Sequence, residues 1–70
     1  MAINYKPLWI LLAKKDMNKT ELSKTADIST NAVAKMGKNE YVSLQTLEKI
    51  CLSLNCQLND VVTIEEEILR

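Results

Sequence analysis

Between Met17 and Lys38 the chain reads as two short helices with only three residues in which to turn. Asn18 is of the type that caps a helix by accepting from a first-turn N–H. Glu21, three positions on, can reach back to the Asn18 N–H. Leu22 and Ala26 share one face of the helix so opened, and Lys19, Lys24 and Thr25 are polar. Asp27, Ile28 and Ser29 follow, and Ser29 is a good cap for a second helix from Thr30 to about Gly37, with Val33 and Met36 inward. Gly37 is expected to take the left-handed conformation that closes it. Helices joined by so short a link cross steeply. Such packing needs a small residue at the approach, an apolar plug in the turn, and an apolar inner face on the second helix. Ser23, Ile28, and Val33 with Met36 meet those needs.

The flanks extend the helical pattern. Pro7 suits a first turn, where its missing N–H is not needed. Leu8, Leu11 and Leu12 then recur at helical spacing, widened by Trp9 and Ala13, to about Lys15. Asp16 and Met17 end this helix, with Met17 pointing inward. Trp9 reads as helix packing rather than ligand binding, while Ile10 leaves the stripe and marks either a contact surface or a lone exposed apolar residue. Ser43 caps a further helix in which Leu44, Leu47, Ile50, Cys51 and Leu54 repeat every three or four residues, and Asn55 stops it. Leu58, Val61 and Val62 predict a fifth short helix opened by Asn59 or Asp60. Residues 63–70 are open between a helix, which Ile64, Ile68 and Leu69 suit, and a short strand. One Gly and one Pro in 70 residues leave no room for a turn-rich β-barrel.

Seventy residues allow one core, and a domain this small gains from association. No apolar run is long enough to span a bilayer, the longest being Pro7 to Ala13, and the N-terminus has no secretory pattern. The expected location is therefore cytoplasmic. With no His and no Gly-rich phosphate loop, and with Glu65, Glu66 and Glu67 in a tail without a pocket, catalysis is not expected. Cys51 and Cys56 supply two soft ligands, too few for a closed zinc site, and are expected to be reduced thiols packed in or near a helix. No cofactor or metal is expected.

The formal net charge is zero, but it is segregated. Residues 1–38 carry seven Lys against three acids, a net of +4, and residues 39–70 carry Lys49 and Arg70 against six, a net of −4. One cationic face and a separate acidic end follow, and the local field at a phosphate matters more than the sum.

The stretch from Met17 to Lys38 resembles the helix-turn-helix of the lambda repressor and Cro family, also called the xenobiotic-response-element family. Residues from Val42 to Cys56, Val-Ser-Leu-Gln-Thr-Leu-Glu-Lys-Ile-Cys-Leu-Ser-Leu-Asn-Cys, resemble that family's fourth helix. The likeness runs over residues 5–62. It implies a compact all-α, five-helix domain comprising residues 1–70, with its core at 5–62 and a tail at 63–70. Ser23 stands where the family usually has alanine. Asp27 replaces the usual turn glycine, at ~1 kcal/mol of strain.

The resemblance implies sequence-specific binding of double-stranded DNA by a transcriptional regulator, with repression the expected outcome. Thr30, Asn31 and Lys35 are then the base-contacting residues, since Asn bonds bidentately to adenine and Thr touches a thymine methyl. Ala32 and Ala34 permit close approach. Lys19, Ser29, Lys38, Asn39, Ser43 and Gln45 are expected at phosphates. The plainer readings are helix capping for Thr30 and Asn31 and a solvated face for Lys35 and Lys38. An antitoxin-like or adaptor module of the same fold, binding a protein through its acidic half, is the alternative function. The expected working species is a homodimer on a palindromic operator, held by the acidic half with Leu58, Val61, Val62, Ile64, Ile68 and Leu69 contributing. In the competing arrangement the tail folds back on its own domain.

Overall fold

The computed structural model describes residues 2–65. Its elements are β1 (Ile3–Asn4), α1 (Lys6–Lys14), α2 (Lys19–Ala26), α3 (Thr30–Gly37), α4 (Leu44–Leu54), a 3-10 turn at Leu58–Asp60, and β2 (Thr63–Ile64). Four α-helices are thus present among the described residues, with a two-stranded antiparallel sheet in which Ile3 pairs with Ile64 and Asn4 with Thr63.

The helix starts follow the local chemistry. The Asn18 side chain accepts from the Glu21 N–H at 2.8 Å, and the Glu21 carboxylate accepts from the Asn18 N–H at 3.0 Å. Ser29 Oγ accepts from the Ala32 N–H and Ser43 Oγ from the Thr46 N–H, at 3.0 and 3.1 Å. Each bond satisfies a first-turn donor that the helix itself leaves free.

The helix ends share one device. Asp16, Asp27, Asn39 and Asn55 all have φ between 53° and 56°. Behind each, the next N–H reaches a carbonyl five residues back: Met17 to Leu12, Ile28 to Ser23, Glu40 to Lys35 and Cys56 to Cys51, at 2.9–3.0 Å. This is the six-to-one bond that closes a helix around a left-handed residue. The expectation for Gly37 is therefore corrected: it stays inside α3, and Asn39 takes the left-handed position two residues later. The reason is tertiary, because from there Asn39 Oδ1 accepts from the Tyr5 N–H at 3.1 Å.

One buried cluster gathers Tyr5, Leu8 and Leu12, Leu22 and Ala26, Val33 and Met36, Leu47, Ile50 and Leu54, and Val61. Met17 and Ile28 pack against it from the turns. Leu44 is 74% exposed, so the inner stripe of α4 begins at Leu47. Ser23 is buried and donates to the Thr20 carbonyl at 2.8 Å, so its hydroxyl brings no unpaired donor to the α2–α3 crossing.

The expected fifth helix is also corrected. The Gln57 N–H donates to Asp60 Oδ2 at 3.0 Å, which opens a three-residue 3-10 turn. Val61 is then drawn fully into the core, and its carbonyl accepts from the Leu8 N–H at 3.2 Å. With that carbonyl engaged by the start of α1, the chain leaves helical geometry and runs extended beside β1. Of the tail, residues 63–65 fold back on their own domain, while Ile68 and Leu69 lie outside the described residues.

Candidate functional site

The first turn of α3 stands clear of the core. Thr30 and Asn31 are exposed, Val33 and Met36 are buried beneath them, and Lys35 is exposed one turn beyond Asn31. Ala32 is half-buried and Ala34 exposed, so no bulky side chain rises between the polar ones.

Ser29, Asn31, Ala32 and Lys35 line a shallow groove of about 150 Å³ with Val42, Ser43 and Thr46. The groove therefore joins the beginnings of α3 and α4. Four of the sequence-derived candidates, Ser29, Asn31, Lys35 and Ser43, come together there. Ser29 Oγ accepts from the backbone, leaving its O–H free to donate outward. Ser43 Oγ also lies 3.0 Å from Thr46 Oγ1. Thr46 escaped the sequence reading, although a hydroxyl three residues after a capping Ser shares its helix face. The field here suits an anion: helix N-termini carry partial positive charge, and Lys35 adds a full one.

The other candidates are placed differently. Lys38 is exposed at the C-cap of α3. Lys19 Nζ lies 4.6 Å from the centre of the Trp9 ring, and only 3.5 Å from where a Cβ on Gly37 would stand. The ammonium thus rests over an aromatic face beside the C-terminal end of α3, where the negative end of the helix dipole favours it. A Cβ at position 37 would meet this ammonium at ordinary van der Waals distance. Trp9 accordingly positions a cation as well as packing a helix. Asn39 is half-buried with its side-chain oxygen committed to Tyr5, so only its amide nitrogen remains for an outside partner. Gln45 is exposed and lines a different, apolar groove on α4.

Two tertiary contacts fix this surface. Lys49, from the acidic half, donates to the Asp27 carbonyl at 3.3 Å and so supports the turn between α2 and α3. Tyr5 is fully buried, and its hydroxyl donates to the Glu40 carbonyl at 2.8 Å, anchoring the loop that leads from α3 to the cap of α4. Burial pushes the Tyr5 hydroxyl above its ordinary pKa. Neither contact was legible from local pattern.

Among the described residues no group of three or more His, Cys, Asp or Glu is placed to hold a metal ion. No described helix is long and apolar enough to cross a membrane.

A family model described as the Cro/C1-type HTH DNA-binding domain matches residues 7–67. The HTH-type transcriptional regulator YozG of Bacillus subtilis (strain 168), itself uncharacterized, is 40% identical over 55 residues, covering 76% of this chain and 66% of that protein. The crystal structure of the transcriptional regulator VanUg (Form II) matches at a TM-score of 0.88 and 42% identity, over 94% of this chain and 88% of that one.

Proposed function

Because the chain belongs to the Cro/C1-type helix-turn-helix family of DNA-binding domains, we propose that it is a transcriptional repressor that reads operator DNA with α3 in the major groove. The observation that carries this reading is the first turn of α3, whose Asn31 and Lys35 are exposed above a buried inner face and share a groove with the cap of α4. In that pose Asn31 pairs bidentately with adenine, Thr30 meets a thymine methyl, and Lys35 reaches a guanine edge or a phosphate. Lys19, Ser29, Lys38, Ser43 and Gln45 hold the flanking backbone, with the Asn39 amide as a further donor. Occupancy of the groove is enough to repress, by excluding other proteins from the same duplex.

The working species in this proposal is a homodimer on a palindrome. One recognition helix reads only a few base pairs, too few to select a site in a genome. Leu52 and Ile64, 77% and 76% exposed on the acidic half, offer apolar surface for pairing. Two-fold pairing sets the recognition helices about 34 Å apart, one DNA turn.

Selection of bound duplexes from a random pool, beside a mass determination in solution, tests both parts. A palindrome should be enriched and a dimer observed. Asn31→Ala should cost roughly 1–3 kcal/mol on the selected site and relax preference at one position of each half-site. If that variant keeps both affinity and preference, the docking is wrong. A chain that stays monomeric at high concentration, with and without DNA, refutes the dimer.

A further inference from the structure

Cys51 and Cys56 occupy the two positions that the end of α4 forces together. Asn55 is left-handed, and the Cys56 N–H donates to the Cys51 carbonyl at 3.0 Å. In a helix end of this form the residues joined by the six-to-one bond frequently bring their side chains into contact. Standard bond lengths on either side of that hydrogen bond hold the two Cα atoms to within about 7 Å, the upper edge of the range a disulfide spans. Both residues are half-buried free thiols, not sealed in the core. They line one open groove of about 570 Å³ between α4 and the 3-10 turn, together with Leu44, Leu47, Gln57 and Leu58. That volume is in the range of clefts that admit small molecules. At the other ends of α1 and α2 the same two positions are held by Leu12 with Met17 and Ser23 with Ile28, so the helix ending itself does not require sulfur.

We infer that Cys51 and Cys56 form a dithiol modification site that closes to an intramolecular disulfide on exchange with a low-molecular-weight disulfide of the glutathione class. One cysteine thiolate attacks the external disulfide, forming a mixed disulfide and expelling one small thiolate. The second cysteine thiolate attacks the protein sulfur of that mixed disulfide, the Cys51–Cys56 bond forms, and the second small thiolate leaves. Two electrons pass from the protein to the external disulfide, and the two cysteine protons end on the two small thiols. Burial, with the Cys51 sulfur adding to it, raises the Cys56 thiol above its ordinary pKa, so attack by Cys56 accelerates as pH rises. Cys51 lies eight residues beyond Ser43, about 12 Å along α4. Closure therefore leaves the groove shared by α3 and α4 unchanged while fixing the turn into the 3-10 segment.

The test is equilibration of the folded, full-length chain in buffers of graded oxidised-to-reduced glutathione ratio, read by intact mass and by the tryptic peptide of residues 50–70, which carries both cysteines. The expected product is a single chain lighter by two hydrogens, with no retained glutathione and a higher melting temperature than the reduced form. Cys51→Ser and Cys56→Ser, checked for native helicity by circular dichroism, should each instead retain one glutathione. A wild-type chain that stays reduced in the most oxidising buffer, accumulates mixed disulfides without closing, or cross-links to a second chain overturns the inference.

Discussion

Replacing Tyr5 by Phe isolates the contact that ties the N-terminus to the loop before α4. The ring is fully buried and packs with Leu8 and Met36 in the core cluster, so the apolar part of the change is conservative. What is lost is the hydroxyl that donates to the Glu40 carbonyl at 2.8 Å. An intramolecular hydrogen bond contributes about 1 kcal/mol net, and an acceptor left unpaired in a partly buried site adds a desolvation cost. The expected loss is about 1–2 kcal/mol. In a domain of this size each kcal/mol moves the midpoint by roughly 4–8 °C, so thermal unfolding at neutral pH should show a clear drop. The pH dependence gives a second, independent reading. Burial raises the Tyr5 pKa in the fold above its unfolded value of about 10, so in alkali the folded state binds more protons than the unfolded. The contribution from this group is fully present below that pH and is lost as pH rises from there through the folded-state pKa. Wild-type stability should therefore fall toward that of Tyr5→Phe at alkaline pH, while the titrations shared by both chains cancel in the difference. Equal midpoints at neutral pH, or a difference that does not shrink in alkali, would refute the assignment of Tyr5 as a buried, hydrogen-bonded clamp.

Asp27 is left-handed, with φ 55°, in the turn between α2 and α3, and its carbonyl rather than its carboxylate receives Lys49. Asp27→Gly keeps that carbonyl and removes the steric cost, so chemical denaturation should show a gain of up to about 1 kcal/mol, offset in part by a more flexible unfolded chain. A loss of stability would mean that the Asp27 carboxylate contributes something the geometry does not reveal. Lys19→Ala should weaken all duplexes similarly and lower the slope of log affinity against log salt by about 1, measured by fluorescence anisotropy. A sequence-selective loss would move Lys19 from the phosphates to the bases.

Much of the site was written into short stretches of sequence. Asn18 with Glu21, Ser29 and Ser43 each act within three residues, so their helix starts follow from local bonding alone. The inward faces of α2 and α3 follow from helical spacing, and with them the exposure of Asn31 and Lys35 on the opposite side. The small size of Ser23 suited the buried position it takes on α2, whereas the left-handed geometry of Asp27 was legible only through the family resemblance. By contrast, the same local logic chose Gly37 to end α3, since glycine pays nothing for a positive φ. The molecule placed Asn39 there because its side chain meets Tyr5, thirty-four residues away in sequence. Periodicity likewise extended a fifth helix through Val61 and included Leu44 in the stripe of α4. The first failed because the Val61 carbonyl is engaged by Leu8 and the next residues pair with β1, the second because no described residue covers Leu44 in the first turn of α4. Sequence by itself thus determined the four α-helices, the side-chain caps that open α2, α3 and α4, and the face turned outward, because those depend on bonds and periods spanning three to five residues. Only the tertiary structure decided how the chain ends close, where Lys19 rests and what holds the loop before α4, because those interactions join residues that no local pattern relates.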